Sequence, residues 1–450
     1  MSPRSQQNGS AHRRRTPVAP PSVIPKPESL RHWQRSALSA WLGNGSRGIV
    51  AAATGTGKTT LALAAIAEFW ESTARVAIVV PTIALQRQWI KALADGFGLA
   101  RTQVGTMGGD ATDLREGHGF IVGVINSART GLPALTEGWR SEGRRVMLVI
   151  DECHWAAADA NSEVLQSSFD ATLGLSATPE RTDDGFDEIL IPQLGDVVFR
   201  YSLREALDDE LLAPLTCWNL LFDLTAREHA NLAPIQARIE AMEKSLLEDH
   251  PDVANALGLA RIDAMLRRSE GVRGAASLRD LYGQRSALLE ASDGRRSALE
   301  QLAHFPALRT KPSLVFHERI EEARNTAQLF ERAGLRTALE LSTDSPSRRA
   351  EALRDLRSGA AQVLIAVKTL DEGIDLPDAK IAIIAAGSTS TRQRLQRIGR
   401  VVRPTGEPAL AISLIARGTN EEFVVAANDG SLVGSSRVQL ISSLDDGLWP

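Results

Sequence analysis

The sequence predicts an α/β fold made of two parallel-sheet lobes with an α-helical insertion between them. Three observations predict it. Residues 47–70 read as a buried apolar strand, a glycine turn and an Ala/Leu-rich helix. Val146–Ile150 read as a second buried strand, which ends on the acids Asp151 and Glu152. Residues 311–425 return to strand–helix alternation after residues 223–305, whose apolar spacing is helical throughout. Strands buried on both faces of a parallel sheet appear as unbroken apolar runs, which is the pattern here.

The first element is the turn Ala52-Ala53-Thr54-Gly55-Thr56-Gly57-Lys58-Thr59. A strand, a Gly-rich turn and a helix in that order form the setting of a phosphate loop. Glycines let backbone N–H groups curl around phosphate oxygens, and the helix N-terminus adds partial positive charge. The loop Thr54, Gly55, Thr56, Gly57, Lys58, Thr59 and Thr60 is the candidate nucleotide cradle. Lys58 is placed to reach the β- and γ-phosphates and the Thr59 hydroxyl to ligate Mg²⁺. ATP and Mg²⁺ are the cofactors expected. Ala52 stands where such loops usually begin with glycine.

The second element is the acid pair. Ligands bind at the C-terminal ends of strands in open α/β sheets. Asp151 is placed to hold Mg²⁺ and Glu152 to orient and deprotonate an attacking water. Two acids can also simply end a strand; the phosphate loop upstream selects the catalytic reading. Further on, Leu173-Gly174-Leu175-Ser176-Ala177-Thr178-Pro179 reads as a strand running into hydroxyl residues. Ser176 and Thr178 are candidates to hydrogen-bond the acids and relay nucleotide state; a plain strand exit is the alternative.

With these elements in place, the chain resembles the superfamily 2 helicases of the DEAD/DEAH-type group, most closely the XPB-like and type III restriction ATPase branch. The resemblance covers roughly residues 28–205 and 311–425 and implies two RecA-like lobes. Leu30-Arg31-His32-Trp33-Gln34 resembles the adenine-side motif, which implies Gln34 as base reader. Val80-Pro81-Thr82 with Gln88-Trp89, and Val122–Ser127, resemble segments that touch the nucleic-acid backbone, which implies contacts from Pro81, Thr82 and Ser127. Val315-Phe316-His317 resembles the opening of the second lobe. Leu370–Pro377 resembles motif V, which implies Gly373 and Asp375 near nucleotide and strand. Gln396–Arg403 resembles motif VI, which implies arginine-finger roles for Arg400 and Arg403. Three positions depart from the pattern. Cys153 stands where many relatives carry alanine, and is read as a small buried filler. Val124 replaces a strand-contacting threonine. Glu372 stands where DEAD-box RNA helicases carry arginine.

Composition sets the outer bounds. The 450 residues suit two or three domains, and 43% hydrophobic content supports real cores. Two cysteines, Cys153 and Cys217, leave no room for a disulfide framework or a four-cysteine zinc site, which suits the cytoplasm. No run approaches the ~18 apolar residues of a membrane span, and no apolar signal core follows the basic start. A formal charge of −4 is compatible with a basic groove on part of the surface.

The expected organisation follows. Residues 1–29, rich in Ser, Pro and Arg, form a disordered basic arm. Residues 30–205 form the first lobe, 206–310 a linker and helical insertion, 311–430 the second lobe, and 431–450 a tail. Leu215–Leu221 within the linker reads as a strand. The insertion carries no catalytic constellation and is expected to fold apart from the motor, as a nucleic-acid clamp, a docking arm for a protein partner or a spacer. No internal repeat and no nuclease motif is evident. The expected activity is an ATP-dependent helicase or translocase, with DNA favoured over RNA as the track. An RNA-remodelling ATPase and a nucleotide-controlled assembly subunit are the alternatives.

Overall fold

The computed structural model describes residues 29–109, 112–115, 117–158, 160–180, 185–249, 275–367, 379–386, 391–399, 401–402 and 406–444. Two seven-stranded sheets organise them. The first holds β1 (Arg47–Ala52), β2 (Arg75–Val80), β3 (Val104–Met107), β4 (Phe120–Val124), β5 (Val146–Asp151), β6 (Ala171–Ser176) and β7 (Val197–Tyr201). Their spatial order is β3-β4-β2-β5-β6-β1-β7, and every pairing is parallel. The second holds β8 (Leu215–Phe222), β9 (Ser313–His317), β10 (Thr337–Glu340), β11 (Val363–Val367), β12 (Ile381–Ile384), β13 (Ala409–Ala416) and β14 (Val438–Ile441). Their order is β10-β11-β9-β12-β13-β8-β14, again all parallel. The two-lobed RecA-like fold is therefore present.

Alternation along each strand builds a core on both sheet faces. In β2, Val76, Ile78 and Val80 enter one cluster and Ala77 and Val79 the other. In β9, Leu314 and Phe316 face one way and Val315 the other. One cluster runs through both lobes: it contains Leu203, Ala206, Leu207 and Leu212 from the end of the first, and Leu215, Val402 and Val433 from the second. An Arg437–Asp208 ion pair of 2.8 Å lies at the same junction. Among the described residues no helix is long and apolar enough to cross a membrane.

The insertion differs from the expectation of a separately folding module. Its outer part is a helical hairpin. The helix Ala226–Asp249 is capped by Thr225 and Glu228, which bond each other's backbone N–H groups at 3.3 and 2.8 Å. It packs on the helix Ala275–Glu290 through Ile239, Leu278, Leu281 and Tyr282. The inner part belongs to the second lobe. Leu289, Ala298, Leu299, Leu302, Ala303 and Phe305 lie in that lobe's core.

Arg295, on the helix Asp293–Ala303, pins the two together. It is 1% exposed and lies 4.9 Å over the Phe222 ring. Its guanidinium donates to both Glu421 carboxylate oxygens at 2.8 and 2.7 Å, to the Leu414 carbonyl at 3.2 Å and to the Ala385 carbonyl. The stretch 206–222 likewise ends in β8, a strand flanked on both sides within the second sheet.

Two outcomes are expected. Arg295→Met strands a buried Glu421 charge and lowers stability by about 3–5 kcal/mol, read by chemical denaturation. Gln236 and Arg285 touch across the hairpin at 3.1 Å. Joining them by a short Gly/Ser loop, with residues 237–284 removed, leaves the cooperative melt of the second lobe intact. Removing 223–305 abolishes it.

Candidate functional site

β1 delivers the chain to the phosphate loop at the C-terminal edge of the first sheet. Gly55 and Gly57 have φ of +82° and +102°, in the region that side chains disfavour. A Cβ at Gly57 would also sit 2.7 Å from Gln34 Nε2. The Thr56 hydroxyl donates to the Ala53 carbonyl at 2.7 Å and closes the turn. The helix Lys58–Phe69 starts directly afterwards. Lys58 Nζ donates to the Ala52 carbonyl at 3.0 Å, so the ammonium is folded across the loop. Thr54 and Thr59 are half-buried beside it and Thr60 is exposed.

Gln34 lies under this loop rather than out in a base pocket. Its Nε2 donates to the Gly57 carbonyl at 2.9 Å and its Oε1 accepts from the Arg31 N–H at 2.8 Å. Arg31 donates to the Thr56 carbonyl at 2.8 Å. A primary amide has two N–H groups and two lone pairs, so these two bonds use one of each.

The acids stand two strands away. β6 runs between β1 and β5, pairing Ala51 with Ser176 and Leu175 with Asp151. At about 4.8 Å per strand the loop and Asp151 are about 10 Å apart, enough for phosphate and a hydrated cation. Asp151 is buried; its Oδ2 accepts from Trp89 Nε1 at 2.8 Å and its Oδ1 from the Glu152 N–H at 3.1 Å. Burial, then the Glu152 charge, push its pKa up to about 6, against the pull of Lys58 and the Trp89 bond. Glu152 has φ +51°, a conformation costing about 1–3 kcal/mol that turns its side chain off the strand direction.

Ser176 Oγ is the junction of this edge. It lies 3.5 Å from Glu152 Oε2 and 3.1 Å from His154 Nδ1, and accepts the Thr178 N–H at 3.1 Å. Thr178 thus reaches the acids through its backbone. Cys153 is fully buried, with its sulfur 3.2 Å from where a Gly174 Cβ would lie.

Pro81, Thr82 and Ser127 sit on the other half of the same edge. Because β3, β4 and β2 are neighbours, the segments leaving them lie side by side. Thr82 Oγ1 accepts from the Leu85 N–H at 3.3 Å and caps the helix Ile83–Phe97. Ser127 lies in the first turn of the helix Ile125–Ser141. Both helices begin at the edge, where their free N–H groups suit phosphates.

Two features went unread in the sequence. Gly108 and Gly109 have φ of +76° and +81°, and a Cβ on Gly108 would collide with Ser127 Oγ. The glycine doublet after a short strand is the signal that could have flagged them. The Trp89–Asp151 bond had no local signal.

The second lobe faces the loop. Its helix Thr391–Ile398 is held by Arg394, which pairs with Asp429 at 2.5 Å, and by Arg397, which pairs with Glu318 at 2.7 Å. A Cβ at Gly399 would lie 3.3 Å from Thr54 Cβ, and one at Gly55 would lie 3.7 Å from the Val402 carbonyl. The segment bearing the expected arginine fingers therefore packs on the phosphate loop. Arg400, Arg403, Gly373 and Asp375 themselves lie outside the described residues. Among the described residues no cluster of three or more His, Cys, Asp or Glu could hold a metal unaided. One hydroxyl and one carboxylate fit Mg²⁺ that arrives with phosphate and water as its other ligands.

The chain is similar to known proteins. Residues 28–181 match the family model of the type III restriction enzyme res subunit, and residues 295–405 that of the helicase conserved C-terminal domain. The chain is 30% identical over 392 residues to the DNA 3'-5' translocase XPB2 of Sulfurisphaera tokodaii, covering 87% of this chain and 82% of that protein. It is 24% identical to the DNA 3'-5' helicase XPB of Mycobacterium tuberculosis, covering 94% of this chain and 67% of that protein. Of several other curated relatives it spans between 54% and 59% of the length. The structure of S. cerevisiae Dbp5 bound to RNA and ADP BeF3 matches with a TM-score of 0.56 at 14% identity, over 91% of this chain and 89% of that one. At that identity the likeness is one of fold alone.

The raised Asp151 pKa has a testable consequence. Below about pH 6 the carboxyl keeps its proton, which a cation bound there would have to displace, so any Mg²⁺–ATP binding through Asp151 is expected to weaken as pH falls through that value. Trp89→Phe removes a bond that favours the carboxylate and raises the pKa further. Calorimetric titrations on either side of pH 6 should place the acid fall-off at higher pH in the variant. An unshifted fall-off contradicts the assigned role of Trp89.

Proposed function

The chain belongs to the superfamily 2 helicases, related to the XPB/Rad25-type and DEAD/DEAH-type motors, and on that footing we propose that it couples ATP hydrolysis to movement along DNA. The observation that carries the reading is convergence. The phosphate loop and the acids leave one edge of the first sheet, and Gly399 and Val402 of the second lobe pack on that loop.

In this reading Lys58 leaves the Ala52 carbonyl for the β- and γ-phosphates. Thr59 and Asp151 would hold Mg²⁺, which would neutralise phosphate charge. Glu152, turned by its left-handed backbone and bonded by Ser176, takes the proton of the water that attacks the γ-phosphorus as the bond to the bridging oxygen breaks and ADP leaves. Arg400 and Arg403 approach from the second lobe, so hydrolysis depends on closure; an arginine finger contributes about 10³–10⁵ in rate. Gly373 and Asp375 join the cleft from the same lobe.

The track lies along the edge of Pro81, Thr82 and Ser127, where contacts go to backbone phosphates. Binding is then sequence-independent and weakens with salt. DNA is favoured because the relatives at 30% and 24% identity are named as a DNA translocase and a DNA helicase.

ATP turnover measured with single-stranded DNA, duplex DNA and RNA tests the reading. DNA should stimulate most; stimulation by RNA alone overturns the choice of track. Lys58→Ala should lose turnover and weaken ATP binding. Glu152→Gln should keep ATP binding and lose about 10²-fold or more in turnover. Near-normal rates in Lys58→Ala would remove the ATPase assignment.

A further inference from the structure

Glu290 ends the second helix of the hairpin, yet its carboxylate serves the second lobe. The residue is 4% exposed. Its Oε1 accepts from the backbone N–H groups of Glu318 and Arg319, both at 3.1 Å. His317 Nδ1 lies 3.6 Å from the same oxygen, and Arg319 Nε lies 3.3 Å from Oε2. Arg319 also returns a bond to the Gly283 carbonyl of the hairpin helix at 3.3 Å. Among the described residues, these polar partners of the carboxylate come from three consecutive residues where the chain turns from the end of β9 into the start of the helix Ile320–Arg332. Two of them are N–H groups at a helix start, which have no partner within the helix itself.

The same turn holds the arginine-bearing helix. Glu318 accepts from Arg397 Nη2 at 2.7 Å. Arg397 is 1% exposed and lies 5.4 Å over the Phe316 ring, one residue before His317. One residue past the helix's end, Gly399 packs on Thr54 of the phosphate loop. A continuous set of contacts therefore runs from the hairpin through Glu290, the 317–319 turn, Glu318 and Arg397 to the cleft.

We infer that Glu290 is a positioning residue for hydrolysis: it fixes the 317–319 turn so that Glu318 sets Arg397, and with it the helix that docks on the phosphate loop. The inference rests on the ATPase reading above and adds a route by which a load on the hairpin reaches the cleft. The hairpin becomes part of the control of the motor rather than a spacer.

Turnover is compared for the unsubstituted chain, Glu290→Ala, Glu290→Gln, Glu318→Ala and the double variant Glu290→Ala/Glu318→Ala. All are assayed with DNA at a temperature where thermal melts show each to be folded. Glu290→Ala should lower kcat about tenfold or more while KM for ATP stays within about twofold. Glu290→Gln should stay near the parent, because its amide oxygen still accepts both turn N–H groups. Glu318→Ala should resemble Glu290→Ala, and the double variant should be no worse than either single one. An unchanged kcat in folded Glu290→Ala, a loss confined to KM, or losses that multiply in the double variant each overturn the inference.

A second readout needs no turnover. Thr54→Cys with Gly399→Cys places two Cβ atoms close to disulfide span, and the native Cys153 and Cys217 are buried. Adding Glu290→Ala should slow formation of this cross-link several-fold, and Glu290→Gln should not. Equal rates overturn the positioning role even if the parent protein proves unable to hydrolyse ATP, an outcome that would by itself remove only the proposed function.

Discussion

Ser176 stands between the phosphate loop and the acids because β6 runs between β1 and β5. A parallel sheet sends every strand's C-terminal end to the same edge, so the spacing between strands sets the spacing between chemical groups. The loop, Ser176 and Asp151 occupy three adjacent strand ends in that order. None of them needs a long side chain to reach the cleft. The half of the edge formed by β3, β4 and β2 presents the starts of two helices, which suits a polyanionic track. Strand order alone thus divides one edge into a half that carries the loop and the acids and a half that carries two helix starts.

The second lobe depends on buried ion pairs. Arg295–Glu421 and Arg394–Asp429 are both almost fully enclosed. Such pairs contribute little net stability compared with apolar substitutes, and losing one partner is costly. They do fix which helix lies where, since each guanidinium donates to specific acceptors. Arg394 and Arg397 tie the same helix to two partners, one through Asp429 and the other through Glu318. The helix that faces the phosphate loop is thus placed by directional contacts as well as by packing.

Much of this was legible in the sequence. β1 and β5 carry the unbroken apolar runs Ile49–Ala52 and Val146–Ile150, and the glycines, lysine and acids follow them at once, so both local structure and chemistry could be read within short windows. What could not be read were contacts between distant residues. Trp89 and Asp151 are 62 positions apart, and Arg295 and Glu421 are 126 apart. The insertion was expected to stand alone because its spacing is helical to its end; spacing shows that a helix has an apolar face but not what covers it. Periodicity therefore cannot separate Ile239, which faces the other hairpin helix, from Leu302, which faces the second sheet.

The central claim is that the hydrolytic site is built from both lobes and works by their closing and opening. Fluorescence transfer between dyes at Lys91→Cys in the first lobe and Glu351→Cys in the second, both exposed positions, tests it most directly. The account predicts a short-distance state that dominates with DNA and ADP–beryllium fluoride and gives way to a longer one with ADP alone. A single distance that does not change across nucleotide states, in a protein that turns over ATP, would contradict it.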